Sequence, residues 1–151
     1  PSAWVKEPVV IAAVDGLSEE QSKLNKKILQ EAAHLSDILD GELYVVSAYP
    51  FSEPWMGPAT LAVDFEKVKR DVEDYIRGNI TRWMEELGIQ CKFLCVEEGR
   101  PAHVIAQLAE SSHAELLVLG TVARSGVKGI VLGNTSETII HRTFCDVVVL
   151  K

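Results

Sequence analysis

The residues of this sequence best suited to bind a ligand lie in a glycine-rich segment near its carboxyl terminus. The segment 120–142 reads GTVARSGVKGIVLGNTSETIIHR and holds four of the ten glycines. Glycine lets backbone N–H groups approach an anion closely, and the positive end of a following helix attracts the same anion. The segment carries three basic residues, Arg124, Lys128 and Arg142, against one acidic residue, in a chain of net charge −7. It therefore predicts a phosphate site, with an ordinary glycine-rich turn as the other interpretation.

A second candidate residue, Asp15, follows the strongly apolar run 8–14. In open parallel sheets, ligands bind beyond the carboxyl ends of the strands, at the point where strand order reverses. A carboxylate there is suited to accept hydrogen bonds from the sugar or base of a ligand. It could instead form an Asx turn with Gly16, and the spacing by itself favours the turn.

These candidate residues belong to a regular alternation of strand and helix patterns. Short runs rich in β-branched residues predict five strands, at 8–14, 42–49, 90–96, 115–119 and 146–150. Apolar residues at helical spacing predict four helices, over 17–39, over 65–87, from Pro101 onward, and from about 134 to 143. Asn134 and Glu137 have the spacing of a capping box. The alternation predicts an α/β fold, a parallel sheet with helices on both faces.

The apolar patterns also indicate which strands lie at the edges of the sheet. Segments 8–14 and 115–119 are continuously apolar, as central strands are. Segment 90–96 alternates polar and apolar residues, which fits a half-exposed edge. The last strand, 146–150, is continuously apolar, yet no helix follows it to cross over. If it lies at an edge, we expect another copy or a sister domain to cover it; an internal last strand is the alternative.

One long connection, residues 50–63, holds three prolines and a glycine with Trp55 and Met56 between them. Loops of this length in compact domains often close over a binding site. The alternative is a tethered loop whose aromatic residue packs on the domain surface.

Composition excludes several classes of protein. The 151 residues indicate one domain, and a 47% hydrophobic content excludes general disorder. No apolar run approaches the roughly 18 residues of a membrane span. The excess of 22 acidic over 15 basic residues argues against binding to nucleic acid or anionic membranes. The chain begins at Pro1, which fits a trimmed chain, a processed chain or one part of a longer protein.

No arrangement of residues indicates catalysis or a metal site. The four histidines are scattered, and none has metal-ligand spacing with a cysteine. Three cysteines form no disulfide framework and fit a reducing cytosol. Cys91 and Cys95 are predicted to share one strand face about 13 Å apart, too far for a disulfide. Because no nucleophile elbow and no Walker-type lysine loop occur, we expect the chain not to be an enzyme.

The spacing of the glycine-rich segment resembles the nucleotide loop of the universal stress protein family. That pattern is glycine, two residues, glycine, nine residues, glycine, then serine or threonine. Here the corresponding positions are Gly120, Ala123, Gly133 and Asn134, with Thr135 one residue late. Two of these positions, 123 and 134, depart from the pattern. More narrowly, GTVARSGV followed by LGNT is similar to the tandem, E-type members.

The resemblance covers essentially the whole chain and implies its organisation. It implies a Rossmann-like fold similar to the adenine nucleotide alpha hydrolases, an open five-stranded sheet in the order 3-2-1-4-5. It also implies pairing through the last strand, at Val147, Val148 and Val149, with a second copy or a sister domain. Residues 1–7 would be a linker or extension, and residues 8–151 one universal stress protein domain, the second of a tandem chain.

The resemblance further implies which residues contact a ligand. An adenine nucleotide, ATP with Mg²⁺ being one candidate and no nucleotide another, would lie at the glycine-rich loop. The implied binding residues are Ala13 and Asp15 beside the base and sugar, and Gly120, Ala123, Arg124, Gly133, Asn134 and Thr135 at the phosphates.

We therefore expect a cytoplasmic stress-response protein that senses or signals through a bound adenine nucleotide. A slow ATPase that depends on Asp15 or Thr135 is a minor alternative. The competing hypothesis is a scaffold that binds no nucleotide and pairs with a sister domain. Such a scaffold would hold an apolar ligand in the sheet crevice beside Trp55 and Met56.

Overall fold

Strands and helices alternate in the computed structural model, which describes residues 7–50, 64–121 and 133–151. The strands are β1 (Val9–Ala13), β2 (Glu42–Tyr49), β3 (Phe93–Glu98), β4 (Leu116–Gly120) and β5 (Asp146–Leu150). The helices are α1 (Ser22–Ile38), α2 (Phe65–Leu87), α3 (Pro101–Ser112) and α4 (Asn134–Arg142). Most of the predicted long connection, residues 51–63, lies outside the described residues.

The strands form one parallel sheet in the order β3-β2-β1-β4-β5. This order confirms the predicted α/β fold. The central strands β1 and β4 are the two continuously apolar runs, and every residue of β1 is buried. Because β5 lies at one edge of the sheet, the alternative of an internal last strand is wrong.

Two apolar layers attach the helices to the sheet. Val10 and Ala12 of β1 lie in the layer beneath α1 and α2, whereas Val9 and Ile11 lie in the layer beneath α3 and α4. Neighbouring residues enter opposite layers because side chains alternate across a strand. Each large apolar side chain that is fully buried, such as Ile76 of α2, contributes roughly 1.5–3 kcal/mol.

The ends of α2 and α3 follow local sequence signals. The Asp64 side chain accepts a hydrogen bond from the Lys67 N–H at 3.1 Å and so caps the start of α2. Gly88 ends α2 in a left-handed conformation, with φ 66°. Pro101 opens α3 as predicted, because the first turn of a helix needs no N–H from that residue.

The predicted start of α1 and the predicted cap of α4 were wrong, whereas α4 begins at Asn134 as predicted. α1 begins at Ser22, which leaves Leu17 in the preceding turn, 41% exposed. The N-cap of α4 is Gly133, whose carbonyl accepts the Glu137 N–H at 3.0 Å. Asn134 is therefore already helical and makes no capping bond, so the predicted capping box is absent.

β3 lies at the other edge of the sheet, as its alternating pattern predicts, but it starts later than expected. It begins at Phe93 and runs to Glu98, so Cys91 precedes the strand. Phe93 is 46% exposed and contacts Tyr44, with ring centroids 5.6 Å apart. No helix among the described residues is long and apolar enough to cross a membrane.

Two glycines with different surroundings give a prediction about stability. A Cβ added at Gly78, exposed within α2, meets no atom within 4 Å, whereas one added at Gly41 would overlap the Pro8 carbonyl oxygen. Gly78→Ala should raise the free energy of unfolding by roughly 0.5–1 kcal/mol because alanine is the better helix former. Gly41→Ala should lower it by roughly 1–3 kcal/mol through overpacking. Urea denaturation measures both, and a similar change in the two variants would contradict this packing.

Candidate functional site

A crevice of about 580 Å³ opens at the carboxyl ends of β1 and β4. From β1 the chain adds strands β2 and β3 in one direction along the sheet, and from β4 it adds β5 in the opposite direction. Strand order therefore reverses between the neighbours β1 and β4. Such a switch point is the usual ligand site of an open parallel sheet, and the volume suits a small organic ligand. Among the described residues that line the crevice, Asp15 alone carries a charge.

The crevice brings together most of the predicted binding residues. The described residues among them all line it, namely Ala13, Asp15, Gly120, Gly133, Asn134 and Thr135. The other two, Ala123 and Arg124, lie outside the described residues. Residues that are 120 positions apart in sequence therefore lie at one site, whereas their contact with a ligand stays a prediction.

The turn between β1 and α1 presents Asp15 to the crevice. Its Oδ1 accepts a hydrogen bond from the Leu17 N–H at 3.1 Å, which is the Asx turn that the spacing favours. Asp15 is nevertheless exposed at the rim. This bond fixes the orientation of the carboxylate at the rim.

Three buried polar side chains hold the backbone of this turn. Asn25 of α1 accepts from the Asp15 N–H at 3.0 Å and donates to the Asp15 carbonyl at 2.8 Å. Ser47 of β2 accepts from the Gly16 N–H at 3.1 Å. Asn79 of α2 donates to the Gly16 carbonyl at 2.9 Å. All three side chains are at most 3% exposed, and they bond backbone groups that are buried at Gly16 and partly buried at Asp15.

Sequence reasoning missed these three side chains. Their only signal is that each is a polar residue within an apolar pattern, as Ser47 is within ELYVVSAY. Which turn they bond depends on how α1, β2 and α2 pack together. That information lies in the tertiary structure.

Two glycines beside the crevice are closely packed against side chains of the helices. A Cβ on Gly16 would lie 2.5 Å from Ile76 Cγ2, and one on Gly120 would lie 2.8 Å from Leu24 Cδ2. Glycine at 120 therefore allows α1 to approach β4, a reason that differs from the predicted approach to an anion. A Cβ on Gly133 would meet no atom within 4 Å, so this position has open space around it.

The first turn of α4 faces the crevice with its helix start uncapped by any side chain among the described residues. The first N–H groups of a helix lack partners within the helix, and the helix dipole adds a partial positive charge there. Ser136 of this turn donates to the Gly120 carbonyl at 3.4 Å, which ties α4 to the end of β4. The arrangement suits an anionic group placed near Gly133 and Thr135.

The three cysteines, Cys91, Cys95 and Cys145, do not line the crevice. Each is partly buried, and burial raises the pKa of its thiol. The predicted shared strand face of Cys91 and Cys95 is wrong, because Cys91 precedes β3. Among the described residues, no group of acidic, histidine and cysteine side chains could hold a metal ion.

Comparison with known proteins places the whole fold in one family. Residues 9–151 match the profile of the Universal stress protein family. Universal stress protein E of Escherichia coli strain K12 is 35% identical, over 98% of this chain and 48% of its own length. The Haemophilus influenzae homolog is 32% identical, over 95% of this chain and 47% of its own length. The chain therefore spans about half the length of these curated relatives.

Solved structures share the same fold. A Pseudomonas aeruginosa UCBPP-PA14 protein matches with a TM-score of 0.72 at 28% identity, over 97% of this chain and 48% of that chain. A universal stress protein in complex with cAMP matches with a TM-score of 0.58 at 20% identity, over 97% of this chain and 98% of that chain. The Archaeoglobus fulgidus universal stress protein in complex with dAMP has a TM-score of 0.53 at 20% identity, over 97% of this chain and 99% of that chain.

The Ser47 bond gives a prediction about the turn. Ser47→Ala should leave the Gly16 N–H without a partner and lower the free energy of unfolding by roughly 1–3 kcal/mol. Hydrogen exchange at that amide should accelerate beyond the change in global stability. Ser36→Ala is the matched control, because Ser36 is equally buried but bonds the Gly41 carbonyl at 3.1 Å, away from the crevice. Equal exchange at Gly16 in both variants would contradict this role.

Proposed function

The chain belongs to the universal stress protein family, and we propose that it binds an adenine nucleotide in this crevice and acts as a sensor. The observation that carries the proposal is the pairing of an exposed carboxylate with an uncapped helix start across one crevice. A nucleotide has hydroxyl donors at one end and phosphate at the other, which matches both features. The cAMP and dAMP complexes of structural relatives support the same ligand class.

The surrounding groups suggest how the ligand would lie. Asp15 and Ala13 on β1 would border the ribose and base, and the apolar walls, including Leu24 and Ile139, would exclude water from the rings. Phosphate would lie against the first turn of α4. Mg²⁺, where present, would arrive bound to the nucleotide phosphates, because Asp15 is the one carboxylate among the described lining residues.

We propose signalling rather than catalysis for this site. Around the crevice, the described residues place no general base beside an activated nucleophile. A bound nucleotide would bridge the β1–α1 turn and α4. Its presence would therefore shift the population of conformations in which these two elements are held together. This role fits a cytoplasmic stress-response protein. Phosphate release that depends on Asp15 or Thr135 would instead indicate a slow ATPase.

The competing proposal is a scaffold that binds no nucleotide. Its support is the largely apolar lining of the crevice, which would also accept an apolar ligand. The two proposals differ in whether phosphate contributes to binding.

Pairing through β5 is the second part of the proposal, and the two sheet edges differ in a way that supports it. At the β3 edge, Arg77 donates to the Leu94 carbonyl at 3.4 Å and Lys69 pairs with Glu98 at 2.8 Å. Charged side chains there protect the edge from pairing. Along β5, the residues from Val147 to Leu150 are all apolar and only partly buried. We propose that a second copy or a sister domain of a longer chain covers β5.

Gly133 offers a test that separates phosphate binding from folding. Gly133→Asp adds a carboxylate in open space at the N-cap of α4, where aspartate is a favoured residue. Stability should stay equal or rise by a few tenths of a kcal/mol, whereas affinity for ATP, AMP and cAMP should fall roughly tenfold or more through repulsion. Adenosine affinity should stay unchanged. Calorimetric titration at low salt measures all four ligands.

Gly133→Asn is the matched control, because asparagine has the same shape without the charge. Its loss of ATP affinity should be clearly smaller than that of Gly133→Asp. A flat titration of the folded wild-type chain at millimolar ATP would overturn the nucleotide proposal and favour the scaffold.

Proline substitution tests the pairing edge. Val149→Pro should remove an outward N–H of β5 without breaking its ladder to β4, and the chain should then sediment as a monomer. Leu94→Pro removes an outward N–H at the protected β3 edge and should leave the oligomeric state unchanged. Circular dichroism confirms folding of both variants. Dimers that persist in Val149→Pro would place the interface elsewhere.

A further inference from the structure

A second cavity lies at the opposite end of the strands from the nucleotide crevice. It has a volume of about 290 Å³ and lies where α3 and α4 end, beside the residues that lead into β4 and β5. We call it the α3–α4 pocket. Among the described residues, its lining shares none with the crevice at the carboxyl ends of β1 and β4. The α3–α4 pocket therefore plays no part in the proposed nucleotide site.

Small apolar residues leave the space that forms this pocket. Ala106 and Ala109 of α3 line it and are buried, and Ala114 lines it and is partly buried. The volume lies just below the roughly 300–1,000 Å³ of sites for drug-sized ligands, so it suits a single long side chain. Walls of alanine suit the methylene stem of lysine or arginine, which covers apolar surface while its charged end stays in water.

An aromatic side chain lies at the mouth of the pocket. Phe144 lines it and is fully exposed. The face of an aromatic ring attracts a cation that lies within about 6 Å of its centre. The same ring would bury a large apolar area under a side chain that packs on it. Phe144 therefore offers one contact to a cation and another to an apolar neighbour of that cation.

The charges around the α3–α4 pocket favour a cation. Glu110 lines the pocket, and Glu115 and Asp146 each follow a lining residue in sequence. Burial raises the pKa of the lining thiol Cys145, and the carboxylates of Asp146 and Glu115 raise it further. The negative charges therefore act on the interior of the pocket. Arg142, which also lines it, opposes them with one positive charge.

The helix ends add to this negative potential. The carboxyl end of a helix is equivalent to about half a negative charge, and both α3 and α4 end at the pocket. The last turn of α3 contains no basic residue. His113, which caps α3 at φ 53°, bonds the Glu110 carbonyl through its Nδ1 at 2.9 Å. Because a carbonyl only accepts, this ring nitrogen donates, and the bond holds the imidazole against its own helix.

We propose that the α3–α4 pocket binds an arginine or lysine side chain of a basic peptide segment of a partner protein. The stem of that side chain would lie over the alanines, and its charged end would lie beside Glu110. An apolar residue next to it in the segment would cover Phe144, which a free small amine would leave in water. The net charge of −7 also favours association with a basic partner.

Short peptides test the proposal on the whole chain by NMR titration at low salt. Acetyl-Leu-Arg-Leu-amide should shift the backbone amides at 113–114 and 142–145 saturably, with a dissociation constant on the order of millimolar or tighter. The matched control replaces arginine by citrulline, which has the same shape without the charge, and should bind roughly fivefold more weakly or less. The absence of shifts at these amides would overturn the site.

Two further ligands test the chemical class. Acetyl-Leu-Glu-Leu-amide should not bind, and binding as tight as that of the arginine peptide would overturn the preference for a cation. Butylguanidinium should bind more weakly than the arginine peptide. Equal affinity of the two would overturn the assignment to a peptide segment and indicate a site for small organic cations. Neither result depends on the nucleotide crevice, which is titrated with ATP on the same samples.

Charge variants test the role of Glu110. Glu110→Gln should weaken the arginine peptide roughly threefold or more at low salt. Glu85→Gln is the matched control and should leave the affinity unchanged. Both glutamates are exposed, lie two residues before a helix end and accept the N–H of the capping residue at 3.2 Å. Arg142→Gln should strengthen binding roughly twofold, because it removes the opposing charge. Weaker binding in Arg142→Gln would overturn the preference for a cation.

A second pair of variants tests the aromatic contact. Phe144→Ala should weaken the arginine peptide roughly threefold or more through loss of the ring. Phe93→Ala is the control, because Phe93 is also an exposed phenylalanine but lies on β3, at the other edge of the sheet. The amide spectrum of each variant confirms its fold. Equal affinities in the two variants would overturn the contact with Phe144.

Discussion

The backbone of the turn after β1 is enclosed at Gly16 and partly enclosed at Asp15 by α1, β2 and α2, and the rest of the site depends on how its polar groups are bonded. A buried backbone group without a partner costs about 1–3 kcal/mol, so several unmet groups would be a large fraction of the stability of a domain this size. Asn25, Ser47 and Asn79 supply the missing partners from three different elements. These bonds require α1, β2 and α2 to meet at one point.

That constraint explains the composition of the crevice. Ile76 of α2 lies against Gly16, and Leu24 of α1 lies against Gly120, so a side chain at either glycine would force its neighbour to shift. The walls are therefore tightly packed and largely apolar, whereas the polar features are confined to the rims. Asp15 lies on one rim and the start of α4 on the other.

The two edges of the sheet meet the same demand for hydrogen bonds in different ways. At β3, Arg77 and Lys69 extend from α2 and occupy the edge with charge. At β5, the apolar residues from Val147 to Leu150 are only partly buried. The charged and the apolar edge therefore differ in how readily each could accept a further strand.

The sequence by itself determined the elements and their approximate places. Apolar periodicity is a local property, so five strands, four helices and the central positions of β1 and β4 could be predicted from it. The order of the strands came from the resemblance of the glycine-rich segment to a family, and the edge position of β5 agreed with it. The site residues Asp15, Gly120 and Gly133 could be singled out because their types and spacing suggest their chemistry.

Contacts between elements were decided by the tertiary structure alone. The capping box at Asn134 fails because Gly133 already accepts the first bond of α4. The polar residues that hold the β1–α1 turn were missed because a hydrogen bond between Asn79 and Gly16 spans 63 positions. Spacing along a chain carries no information about such a pair. It exists because buried backbone groups must be bonded, and only packing determines which side chain is near enough to bond them.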